Sequence, residues 1–171
     1  MDESKNCSGK DKLLGLTKLR YETMPILAKT VQDENAIIKD PIPRILKCHL
    51  LTEVILDKLI LYAYEPNGGA ILAADLRYAK KLDIASRTML VEDIPLIPDY
   101  VVGSLKKLNR IRNRLAHDLD ANVTREEIIE LFMGDMPVFL DAVKTDISII
   151  LHHYTGFILG NMLPKFEPIE E

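Results

Sequence analysis

The sequence predicts an all-α bundle of about five to six helices, and three observations predict it. From Leu13 onward apolar residues recur at helical spacing, and no alternating run bounded by tight-turn dipeptides points to a strand. Proline and glycine clusters near residues 41–43, 66–69 and 95–98 cut the chain into segments of helix length. The 171 residues are 47% hydrophobic and 28% charged, the balance of one globular domain that can bury a core without staples. Residues 1–12 are expected as a disordered lead-in, 13–163 as a single helical domain and 164–171 as an acidic C-terminal tail.

Each element has its own grounds. A first helix is expected over residues 13–31, bent at Pro25. Asp40-Pro41-Ile42-Pro43 is a rigid break, after which Pro43 can open a second, very apolar helix over 44–64. Pro66-Asn67-Gly68-Gly69 reads as a loop. A third helix is expected over 70–87, with Leu72, Leu76, Ala79, Leu82 and Ile84 as buried candidates, followed by a proline-containing connector over 91–98. A fourth, capped by Asp99, should run to Leu115 or His117. Its Val101, Leu105, Leu108, Ile111 and Leu115 step by three and four along one face. Thr124 and Glu127 form a capping-box pattern for a short helix that Gly134 ends. A long last helix is expected over 137–159, stopped near Gly160 and Pro164.

Composition excludes several classes of function. Cys7 and Cys48 make neither a disulfide framework nor a CxxC zinc site, so no metal and no cofactor is expected. The polar start does not resemble a secretory signal, and the apolar stretch 147–159 is too short to span a bilayer. A reducing, cytoplasmic setting without membrane partners is therefore expected. Six Tyr, four Phe and no Trp argue against a stacking-based single-strand binder. The net charge of −4 argues against coating nucleic acid with the whole surface.

One segment departs from this acidic background. Residues 106–117, KKLNRIRNRLAH, hold Lys106, Lys107, Arg110, Arg112 and Arg114, while all 26 acidic residues lie elsewhere. Such a run is commonly a solvated face, and cations near a helix C-terminus are favoured by its dipole. The other reading is a focused positive spot for phosphate. Arg110, Asn113, Arg114 and His117 share a helix face at offsets 0, 3, 4 and 7. Arg112 stands about 140° from His117 at 100° per residue, so meeting it requires reach, fraying of the helix end, or a dimer axis. An imidazole among guanidinium groups can serve as a base beside a phosphodiester.

The string Arg112-Asn113-Arg114-Leu115-Ala116-His117 resembles the signature of the HEPN superfamily, an Arg separated from a His by four to six residues with a polar residue after the Arg. Arg110 fits the looser form of the pattern, so either arginine can be the motif residue. The segment 76–85 followed by this string is also similar to the mannitol-operon repressor (MltR-like) proteins, regulators of the same helical fold. The HEPN resemblance implies an HEPN-like bundle and a homodimer that brings two motif helices together. It implies a metal-independent endoribonuclease leaving 2′,3′-cyclic phosphate ends. His117 would be the base, Arg112 the charge stabiliser and Asn113 an orienting group. Arg110, Arg114, Lys106 and Lys107 would bind flanking phosphates. Toxin or defence roles with an antitoxin partner occur in the superfamily, but the tyrosine that such toxins carry two residues after the His is Leu119 here. The alternatives are a non-catalytic transcriptional regulator or interaction module of MltR-like kind, and a domain that senses nucleotides without cutting.

His49, Glu53 and Asp57 form an i, i+4, i+8 row, expected as a solvent-facing stripe or as support for a motif arginine. His152 and His153 lack a third ligand at metal spacing, and Ser104 and Cys48 lack a triad setting. Tyr154 and Phe157 are expected in the core or a dimer interface. The implied composite site makes a first prediction: the native mass should lie near twice 19.4 kDa by light scattering, and a strict monomer would remove the composite site.

Overall fold

Asp40-Pro41-Ile42-Pro43 opens a helix directly. In the computed structural model, which describes residues 9–32, 40–91, 93–135, 137 and 145–163, the Asp40 carboxylate accepts from Ile42 N at 2.9 Å. Both prolines fall in the first turn, where a missing N–H breaks no helical hydrogen bond. The helix they open, α2 (Pro41–Ala63), follows α1 (Gly9–Gln32), which contains Pro25. Because α1 begins at Gly9, residues 9–12 are helical rather than a disordered lead-in. Residues 1–8 and the expected tail 164–171 lie outside the described residues.

The expected third helix is two. α3 (Gly68–Leu72) and α4 (Tyr78–Arg87) are separated by a turn in which Asp75 takes φ 51°, a left-handed conformation that ends a right-handed helix. The expected loop at 66–69 thus already contains the start of α3. Gly68 has a steric reason, since a Cβ there would lie 2.6 Å from Leu61 Cα. Of the buried candidates only Leu82 is fully buried; Leu72, Leu76 and Ile84 are half-buried, and Ala79 is exposed.

The connector holds a small antiparallel ribbon, β1 (Met89–Val91) with β2 (Ile94–Pro95), which periodicity could not reveal in elements so short. α5 (Asp99–His117) has the expected bounds, but Pro98 is its N-cap; Asp99 sits in the first turn, where the helix dipole favours its charge. In α6 (Arg125–Leu131) the capping box forms: Glu127 N donates to Thr124 Oγ1 at 3.2 Å and Thr124 N to Glu127 Oε2 at 3.0 Å. α6 ends at Leu131, before Gly134 with its φ of 96°. α7 (Ile147–Met162) is capped by Asp146, whose carboxylate accepts from Ser148 N at 2.8 Å. It starts later than expected and passes through Gly160; residues 138–144 of the expected helix are not described.

Of the seven helices described, α2 is central: it packs against α3, α4, α5 and α7. Its Ile45, Ile55, Leu56 and Leu59 meet Val101, Leu105 and Leu108 of α5 and Ile150, Tyr154 and Ile158 of α7 in one core. Two expectations are settled there. Tyr154 is fully buried, and Phe157 packs against Phe132 with centroids 5.4 Å apart. Ser104, also fully buried, donates to Leu131 O at 2.6 Å, so the Tyr154 hydroxyl, 2.8 Å away, donates to Ser104. Burial pushes the Cys48 thiol up to about 12, leaving it an inert core residue. Among the described residues no group of three or more potential ligands could hold a metal, and no helix is long and apolar enough to cross a membrane.

Thr124→Ala should lower stability by about 1 kcal/mol, read as a fall in Tm of about 2–4 °C, because it removes one half of the capping box. An unchanged Tm would show that α6 is held by its packing alone.

Candidate phosphate-binding cleft at the end of α5

Burial of Val101, Leu105, Leu108 and Ile111 fixes how α5 is turned about its axis. Asn109, Asn113 and His117, four residues apart, then stand on a different face with Arg112 beside them. That face forms one wall of a cleft of about 600 Å3, large enough for a nucleotide-sized ligand. α2 supplies His49 and Glu53, and the start of α4 supplies Arg77, Tyr78 and Ala79. Arg112, Asn113 and His117 therefore line one cleft within a single chain, despite their angular separation on an ideal helix.

His49 is not on a solvent-facing stripe; it is 4% exposed and belongs to the cleft's floor. Its Nε2 lies 3.0 Å from Asn109 Oδ1, so with a carbonyl oxygen as partner the ring hydrogen is on Nε2. Its ring stacks on Tyr78 with centroids 4.0 Å apart and a 31° tilt. Thr52 Oγ1 donates to His49 O at 2.8 Å, so the Tyr78 hydroxyl, 3.0 Å away, donates to Thr52. Burial lowers the His49 pKa; the Asn109 hydrogen bond opposes, the Arg112 charge adds to the lowering and Glu53 opposes. The imidazole is a neutral pin that ties α5 to α2.

Glu53 and Asp57 are half-buried, and they do not pair with an arginine of α5. Both bind Lys81 of α4, whose Nζ lies 3.0 Å from Glu53 Oε1 and 2.8 Å from Asp57 Oδ1. Burial alone would lower the Lys81 pKa, but the two carboxylates outweigh it and the net shift is upward. Lys81 thus offsets one of the two acidic charges beside the cleft.

The expected phosphate ligands divide. Arg114 grips Glu127 of α6 through Nη1 at 2.5 Å and Nη2 at 2.8 Å, and also donates to Asn122 O at 3.0 Å. Lys107 reaches Glu130 O at 3.3 Å and its carboxylate at 3.4 Å. Lys106 and Arg110 are exposed, and none of these four residues lines the cleft. The expected common face of residues 110, 113, 114 and 117 is split: α6 takes Arg114, while Asn113 and His117 stay at the cleft.

Two arginines remain for the cleft. Arg112 donates from Nη1 to Asn113 Oδ1 at 3.1 Å, and among the described residues neither Arg112 nor Arg77 pairs with a carboxylate. A guanidinium presents planar donors that match phosphate oxygens, so two arginines in one cleft suit it to phosphate, although Glu53 lines the same cleft. The sequence held a signal for Asn109 in its spacing to Asn113 and His117. It held none for Arg77, Tyr78 and Ala79, which join only because α4 packs against α5.

Between the ordinary histidine pKa of 6.5 and the lower value in the fold, the unfolded chain binds more protons, so stability falls as the pH drops through this window. Chemical denaturation of wild type and His49→Gln from pH 7.5 to 5 should show a shallower loss in the variant; parallel curves would mean that the ring is not held neutral. Compared with family models, with curated proteins and with solved structures, this chain finds no match.

Proposed function

We propose that this chain is a metal-independent endoribonuclease of HEPN type, acting as a homodimer with a composite site. The observation that carries the reading is that Arg112, Asn113 and His117, the residues of the HEPN-like motif, line one cleft with a second arginine, Arg77. His117 takes the proton of a ribose 2′-hydroxyl, and the 2′-oxygen attacks the adjacent phosphorus. The bond from phosphorus to the 5′-oxygen breaks, that oxygen takes up a proton, and a 2′,3′-cyclic phosphate remains. Arg112 offsets the charge that grows on the phosphoryl oxygens, and Asn113 orients it through their hydrogen bond. The two-fold axis brings a second motif helix to the substrate.

A second reading is favoured by a different observation. Leu50, Val54 and Leu61 are 60%, 47% and 45% exposed on one face of α2. Such a row suits contact with another protein, in keeping with a regulator or interaction module of MltR-like kind.

Cleavage of a mixed RNA pool in EDTA separates the two. The ribonuclease reading expects cutting with cyclic-phosphate ends and a rate about 10²–10⁴ lower in His117→Ala. Arg112→Ala should cut slowly as well while keeping the wild-type unfolding transition. No cleavage by a folded dimer would overturn the enzyme and leave the regulator.

A further inference from the structure

We infer that Arg77, which lies outside the basic segment, binds a second phosphate of the same strand, so that the cleft accepts a polynucleotide by two adjacent phosphates. Arg77 precedes α4 as its N-cap residue, and its side chain makes no capping hydrogen bond. It lines the cleft from the α4 wall, whereas Arg112, Asn113 and His117 line it from α5. Among the described residues it has no carboxylate partner; Lys81, on the same helix, holds Glu53 and Asp57. An exposed arginine that neither caps its helix nor joins an ion pair contributes little to the fold.

The size of the cleft leads the same way. A single phosphate fills a small part of about 600 Å3. With Arg112, Asn113 and His117 of α5 assigned to the phosphate under attack, Arg77 at the start of α4 is left for its neighbour along the chain. Arginine suits this task because its planar donors grip a phosphate in fixed directions. The four cations once expected to hold flanking phosphates do not line the cleft, and Arg77 takes their place. This inference rests on the proposed function only in taking the cleft as a phosphate site.

The test uses 2′-deoxydinucleotides, which cannot be cleaved by attack of a 2′-hydroxyl, with no terminal phosphate or with one at the 5′ or 3′ end. Affinities are measured by calorimetry on the intact protein. Wild type should bind one of the phosphorylated forms about tenfold more tightly than the bare dinucleotide, the scale of one charge-assisted hydrogen bond. That gain should vanish in Arg77→Ala and persist in Arg87→Ala, which removes the same charge from the other end of α4. A gain that survives in Arg77→Ala, or that falls equally in Arg87→Ala, would overturn the proposal, as would the absence of any gain in wild type. The outcome is independent of cleavage: an Arg77-dependent gain in a protein that cuts no RNA would keep this site and discard the ribonuclease.

Discussion

Helix α5 has one rotation about its axis that buries Val101, Leu105, Leu108 and Ile111 together, and the rest of the molecule is arranged around that rotation. Each of these side chains gains about 1.5–3 kcal/mol on leaving water. An exposed ion pair contributes about 0–1 kcal/mol. Turning the helix to bring Arg110 or Arg114 into the cleft would expose several apolar residues for the sake of one or two such pairs. The hydrophobic stripe therefore wins, and the basic residues go where it sends them.

That rotation sorts the charges of the basic segment by neighbour. On one side α6 presents Glu127 and Glu130, which take Arg114 and Lys107. The grip on Glu127 has a second effect, since the same carboxylate completes the capping box of α6 and so ties the end of α5 to the start of the next helix. On the other side lie α2 and α4. There Lys81 binds both Glu53 and Asp57, and among the described residues the two cleft arginines have no carboxylate partner. The charge of the cleft therefore depends on where the acids are held as well as on where the arginines stand.

The floor keeps this arrangement in register. His49, Asn109, Tyr78 and Thr52 link α2, α4 and α5 through one neutral chain of hydrogen bonds beneath the cleft. A neutral floor adds no charge to compete with a bound anion, and a buried chain of this kind specifies one geometry because leaving any member unpaired is costly. Asn109 is held from below, and Arg112 and Asn113 follow it by three and four residues on the same helix.

Helix content and the main boundaries follow from local patterns. The three-and-four spacing of α5, the Thr124–Glu127 capping box and the prolines that open α2 act within a few residues of themselves. Local signals were weaker where elements are short, which is why the ribbon β1–β2 and the break at Asp75 are absent from a periodicity argument. The basic segment was legible too, and with it Arg112, Asn113 and His117. Its division into a cleft-facing set and a set bound to α6 was not, because that depends on which helices pack on either side. Nor did any pattern along the chain announce Arg77 or the pairing of Lys81 with Glu53 and Asp57. Those residues are 24 to 40 positions from their partners or neighbours in the cleft, and contacts at that range exist only once the apolar faces of α2, α4 and α5 have met.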